Sequence, residues 1–237
     1  MSSQEVQISL KPTDDQIKTL WIIGGYAIAI LFLWNVPYLR TLLYPFKLVT
    51  VAFHELGHAL AGLCTGAKII SIEVDPEQGG ATRMRGGTDC WTLPAGYLGS
   101  SLIGAFMVFC GFNVLASKIM SVVIGICLLG CLVWAKNWLL RGLTVIFIGM
   151  IAFLWWLEGG IGLRYFILFM GVMSGLYSLW DIVEDLVMRK VNESDATRFA
   201  KLCHMPSQFC GFIWFLISII FMAMGILFGI IAFKQSE

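Results

Sequence analysis

Charge is scarce in this chain. Asp, Glu, Lys and Arg make up 13% of its 237 residues, sixteen basic against fifteen acidic, for a formal net charge of +1. Soluble domains carry about twice that share. So thin and balanced a charge offers no basic field to nucleic acid and no acidic field to a large cationic partner, so no nucleic-acid partner is expected. Internal repeats and low-complexity tracts are absent. Residues 1–19 form a polar segment holding Lys11, Asp14, Asp15 and Lys18, without the basic, apolar, small-residue order of a cleavable signal peptide. The first apolar run is therefore expected to serve as its own insertion signal. The seven cysteines are an odd number, and Cys64, Cys110, Cys127 and Cys131 fall inside apolar runs. They read as small core hydrophobes, not as a disulfide framework.

What is abundant is apolar surface: 58% of residues are hydrophobic, and the mean hydropathy is +0.82. Both values indicate an integral, multi-pass membrane protein in contact with the lipid bilayer. Runs long enough to cross about 30 Å of hydrocarbon lie near Leu20–Val36, Leu43–Cys64, Leu93–Leu115, Ile119–Ala135, Leu143–Leu157, Ile161–Asp181 and Phe209–Phe233. The expected fold is thus all-α and polytopic, about seven transmembrane helices in one domain over residues 20–233, with a tail at 234–237. The fourth and fifth runs are short, and Lys136, Asn137 and Arg141 between them suggest a tight helical hairpin. Seven alternating spans put the termini on opposite sides. On that count Lys11, Lys18, Lys68, Arg83, Arg85, Lys136, Arg141, Arg189, Lys190, Arg198 and Lys201 share one side. Arg40, Lys47, Lys118, Arg164 and Lys234 hold the other. The excess predicts a cytoplasmic N-terminus.

Within the second run lies Phe53-His54-Glu55-Leu56-Gly57-His58-Ala59, which uses two of the three histidines in the chain. Residues four apart on a helix differ by about 40° around its axis, so both imidazoles can face one metal ion, with Glu55 placed to act on water there. In a soluble chain an HExxH match competes evenly with a solvated helix face. At membrane depth each ionisable group costs about 2.5–3.5 kcal/mol, and a bound divalent ion is the simplest compensation for three of them. Zinc (Zn2+) is the expected cofactor, with His54 and His58 as ligands and Glu55 as the catalytic base. The sixth run descends in the same direction and ends in Trp180-Asp181-Ile182-Val183-Glu184-Asp185. Asp181 reaches a depth similar to His58 and is the carboxylate expected to complete a three-ligand site. Asp185, one turn later, is the alternative, and Glu184 reads as an interfacial acid.

Two inserts lie outside the spans. Around 68–86, Ile70, Ile72 and Val74 alternate with Ser71, Glu73 and Asp75, and Pro76-Glu77-Gln78-Gly79-Gly80 follows before Ala81-Thr82-Arg83-Met84-Arg85. Period-two alternation around a Gly-containing loop predicts an interfacial β-hairpin with one oily face. Its edge could hold an unwound substrate segment by strand addition, with Ile72 and Val74 toward the cleft, or it could be a simple connector. The second insert, about 186–208, is a polar loop with a short helix. Ser194 suits its N-cap, Asp195 its first turn, and His204 the surface.

In the third run Gly96, Ser100 and Gly104 recur every four residues, a small-residue stripe that lets helices approach closely, with the Gly57/Ala61 surface as its natural partner. Gly96 and Ser100 are accordingly candidate cleft residues.

This order of features resembles the site-2 protease family of intramembrane zinc metalloproteases, closest to its compact B-like peptidase branch. The likeness runs from about Phe46 to Lys201. Its specific parts are the HExxH segment and Ala95-Gly96-Tyr97-Leu98-Gly99-Ser100. The resemblance implies zinc ligation by His54 and His58, Glu55 as base, and a third ligand at Asp181. Better-known members have Pro after the Gly, Asn at the position of Ser100, and the ligand aspartate in an Asp-Gly step, which this chain lacks. The function so implied is endopeptidase cleavage within or near transmembrane segments of membrane proteins, which are then the partners. Two alternatives stand beside it: a non-proteolytic, metal-stabilised adaptor binding transmembrane clients, and a small transporter. The intact Glu55, dispensable for metal binding, favours hydrolysis. Nothing in the sequence sets an oligomeric state.

Overall fold

The computed structural model describes residues 11–76, 79–187 and 194–234. Its long helices are α1 (Asp14–Asn35), α2 (Arg40–Cys64), α3 (Asp89–Cys110), α4 (Val114–Trp134), α5 (Trp138–Trp156), α6 (Ile161–Val187) and α8 (Ser207–Ala232). A two-stranded antiparallel sheet, β1 (Lys68–Asp75) and β2 (Gly79–Arg85), follows α2, and the short α7 (Asp195–Cys203) precedes α8. Among the described residues six helices, α1, α3, α4, α5, α6 and α8, are long and apolar enough to cross a membrane. The remaining long helix, α2, carries Arg40, Lys47, His54, Glu55 and His58, which lower its hydropathy. The protein is an integral, multi-pass membrane protein.

Helix α3 is the hub, packed against α2, α6 and α8. Small residues make this possible. A Cβ added at Gly57 of α2 would collide with the backbone of Ala95, and one added at Gly104 would press on Gly171, Ser174 and Gly175 of α6. The stripe therefore divides between two neighbours. Gly57 meets Ala95 and Gly99, while Ser100 and Gly104, on the adjoining face, turn to α6. Because lipid tails are as apolar as Leu, burial alone does not hold helices together in a bilayer, and interhelical hydrogen bonds add about 0.6 kcal/mol each. Ser100 Oγ lies 2.9 Å from Ser178 Oγ, Ser174 Oγ donates to Ser100 O at 3.0 Å, and Ser101 Oγ lies 2.7 Å from Ser218 Oγ. These bonds tie α3 to α6 and α8.

The termini correct the alternating-span expectation. Gln16 Nε2 at the start of α1 donates to Ile230 O near the end of α8 at 2.9 Å, so both ends of the bundle lie together. The cause is the direction of α1. Asp15 and Thr19 meet Arg164, Tyr26 meets Phe169, and Trp34 meets Tyr177 and Trp180, so α1 runs the same way as α6. Helix α2 runs that way too: Phe46 packs on Phe169, while His54 and His58, two to three turns later, line one cleft with Tyr177 and Asp181. Two consecutive helices thus point in one direction, and residues 36–39, with Tyr38 at φ 69°, turn the chain back between them.

The hairpin forms as expected, with one change of face. A register shift between Ile69 and Ser71 turns Ile70 outward, 57% exposed, while Ile69, Ile72 and Val74 are buried. Beyond β1 lies the α4–α5 turn. Lys136 N donates to Ile72 O at 3.1 Å and Asn137 Nδ2 to Val74 O at 2.6 Å. The outer edge of β1 is thereby occupied. The fourth and fifth spans form the tight hairpin read from Lys136, Asn137 and Arg141, whose guanidinium donates to Ala135 O. All seven cysteines are free; Cys131 is buried, but Cys64 is exposed at the end of α2 and is not core.

Candidate active site

Helix α2 brings His54, Glu55 and His58 to one buried surface, at 8%, 5% and 8% exposure. The imidazoles converge: His54 Nε2 and His58 Nε2 are 3.0 Å apart. His58 is steered by its other nitrogen, Nδ1, which lies 2.7 Å from Thr92 O, so that an Nδ1–H donated to this carbonyl leaves Nε2 free as a ligand. His54 is held edge-on by the Tyr97 ring at 4.7 Å. Gly96 lies directly against both rings, and an added Cβ would collide with both Nε2 atoms. Its place at the site agrees with the sequence reading, for a steric reason: the space between α2 and α3 here fits only a glycine.

The carboxylate that meets the imidazoles in this structure is Asp195, where the sequence led to an expectation of Asp181. Asp195 Oδ2 lies 3.2 Å from His54 Nε2 and 2.9 Å from His58 Nε2. Ser194 caps α7, accepting from Thr197 N at 3.2 Å, and places Asp195 in the first turn. The helix is docked by Ala196 and Phe199, packed with Tyr97, Ile182 and Trp214. Burial alone would raise the Asp195 carboxyl, but with the imidazoles protonated and no metal ion between them, the charge of His58 and hydrogen bonds from both rings outweigh it and hold the group well below the usual carboxylate range. Asp181 does reach the cleft, as its depth suggested. It lines the wall, 3.5 Å from the Tyr177 hydroxyl, and does not join the imidazole group. The side chains of Glu184 and Asp185 lie outside the described residues. His204 caps the end of α7 in a left-handed conformation, φ 54°, and is exposed, as expected of a surface histidine.

Among the described residues, His54, His58 and Asp195 form the one group of three potential ligands, their donor atoms within 4.8 Å of one another. Two imidazole nitrogens and one carboxylate oxygen suit zinc and leave a further coordination position open. With the Gly96 space beside them, these residues fit the ion.

Glu55 points to β2. Thr82 Oγ1 lies within donating distance of Glu55 Oε2, 2.7 Å, and Glu55 O, 2.9 Å. A cavity of about 710 Å³ opens over this surface, walled by β2 from Gly79 to Met84, by Tyr177 and Asp181, and by Asp195 and Arg198. Ile72 and Val74, expected toward the cleft, are instead fully buried in the core with no exposed surface. The register shift and the α4–α5 turn fix that face, so the cleft wall is β2. Ser100, 1% exposed and bonded to Ser178, is a packing group outside the cleft. Among the described residues, Gly79–Arg85 make no backbone hydrogen bonds beyond the β1 ladder. Sequence reasoning missed Asp195 as a site residue because a Ser-Asp pair at a helix start reads as capping, and missed Thr82 because a lone Thr carries no signal.

A family model described as Peptidase M50B-like matches residues 23–225, a span that includes every residue of the site. No curated protein and no solved structure matches the chain.

Proposed function

The chain belongs to the Peptidase M50B-like family, within the site-2 protease group of intramembrane metalloproteases, and from that premise we propose that it is a zinc endopeptidase cutting within or near transmembrane segments of membrane proteins. The observation that carries the reading is the meeting of His54, His58 and Asp195 beside Glu55 in one cleft. Zinc held by those three residues would supply Lewis acidity, polarising a carbonyl and acidifying water. Glu55 accepts the proton of the attacking water and delivers it to the leaving amine. It is suited to this because its carboxylate is fixed at the cleft floor. A peptide bond inside a helix is hydrogen-bonded and shielded, so the substrate must unwind before attack. The open edge of β2 receives the extended form by main-chain pairing, while the other edge of the sheet is held by the α4–α5 turn.

The same geometry supports an orientation in the membrane. Among the described residues Lys68, Arg83, Arg85, Lys136, Arg141, Arg198 and Lys201 lie on elements at the cleft end, against Lys11, Lys18, Lys118, Arg164 and Lys234 at the far end. By the positive-inside rule this excess supports a cytoplasmic cleft face and, with both termini at the other end, favours an N-terminus on the face opposite to the one expected by counting spans.

The test is cleavage of a library of single-span membrane proteins by purified enzyme. Glu55→Gln is expected to lower turnover by at least about a hundredfold, the lower range for a general base, while zinc content stays at the wild-type level. Zinc bound without Glu55-dependent cleavage would replace the protease with the adaptor.

A further inference from the structure

Among the described residues, Glu55 is the one member of the site bonded to the hairpin, and the bond has an unusual form. One hydroxyl, Thr82 Oγ1, reaches both the carboxylate and the backbone carbonyl of the same residue, at 2.7 and 2.9 Å. Two residues away, Gly80 lies so close that an added Cβ would collide with Glu55 Oε1 and the carboxyl carbon. Strand β2 therefore touches the carboxylate at two alternate positions, which face the same side of a strand. Their ladder partners are Ile72 and Val74, both with no exposed surface and both with carbonyls held by the α4–α5 turn. An unbroken line of rigid contacts thus runs from the core through β1 and β2 to the carboxylate.

We propose that Thr82 is a positioning residue for Glu55, and that Gly80 and Thr82 together form a clamp through which the strand that receives substrate also sets the orientation of the base. The inference rests on the protease reading for its catalytic consequence, and on the geometry alone for the clamp. A glutamate side chain has three rotatable bonds, and a base must sit within hydrogen-bond reach of the water it deprotonates. Packing on Gly80 removes one set of rotamers, and the Thr82 hydroxyl selects among the rest. A substrate strand paired to β2 would then lie in fixed register with Glu55, because both are referred to the same residues.

The experiment uses the full-length, zinc-loaded protein in detergent, comparing Thr82→Val, which keeps the shape and removes the donor, with Thr82→Ser, which keeps the donor. Thr82→Val is expected to hold zinc normally, keep KM within about twofold, and lose about tenfold in kcat, a part of the 10²–10⁴ that a general base contributes; Thr82→Ser recovers most of the loss. Amide hydrogen exchange across residues 79–85 supplies a readout independent of turnover. It should accelerate most in Thr82→Val, which removes the donor to both acceptors, and less in Glu55→Ala, which removes the carboxylate but keeps the backbone carbonyl of residue 55. An unchanged kcat in Thr82→Val, or a raised KM with kcat intact, overturns the catalytic role, and unchanged exchange in both variants overturns the clamp. Cleavage that persists in Glu55→Gln would sink the protease reading instead, and exchange would still decide the clamp.

Discussion

At the scale of single residues the site is built from side chains whose second contacts matter as much as their first. His58 is aimed by Thr92 O and Glu55 by Thr82, while Gly96 matters by having no side chain. Gly96→Ala adds one methyl group where no space exists, against both imidazole nitrogens. The expected result is loss of most bound zinc with the fold retained, measured as metal content beside the thermal midpoint. The HExxH residues were legible because their spacing is itself the geometry on a helix. Asp181 was placed in the right cleft by counting depth along α6, which fixes height but not azimuth. The acid on the imidazoles comes from α7, an element whose position depends on Ala196 and Phe199 docking on Tyr97 and Trp214, contacts that no local pattern encodes.

At the scale of elements, the bundle depends on close backbone approach. Gly57→Ala would force apart α2 and α3 at Ala95 O, whereas Gly125 of α4 has nothing within 4 Å of an added Cβ. Overpacking costs about 1–3 kcal/mol, so Gly57→Ala should lower the thermal midpoint in detergent. Gly125→Ala should leave it level or raise it, since Ala is the better helix former by about 1 kcal/mol. Equal midpoints would remove this packing from the account. The elements themselves were legible as apolar runs of spanning length, and the hairpin as alternation. The face of the hairpin was not, because a shift between Ile69 and Ser71 is invisible in a strict period of two. The alternation predicted that β1 would line the cleft, but in the structure β1 is core and β2 the wall.

At the scale of the whole molecule, the direction of α1 decides the topology. With α1 and α2 both running with α6, the N- and C-termini share the face away from the cleft. Reporters fused before residue 11 and after residue 234 are expected to report the same side of the membrane, and one inserted in the α4–α5 turn near Asn137 the other. Readings on opposite sides for the two termini would return the chain to simple alternation. The count of seven apolar runs missed this because it included α2, whose polar residues leave it outside the six helices apolar enough to span, and six alternating spans put both termini on one side. The family match spans the bundle from within α1 to within α8 and gives the chemistry its class, while the carboxylate beside the two imidazoles comes from α7.

Metal content of purified wild type, Asp195→Ala and Asp181→Ala, measured side by side, tests the assignment most directly. Wild type and Asp181→Ala should each bind one zinc ion. Asp195→Ala should lose affinity by more than about a hundredfold, beyond the 10–100-fold typical of an outer-shell partner. Zinc retained without Asp195 but lost without Asp181, or no zinc in the wild type at all, would contradict it.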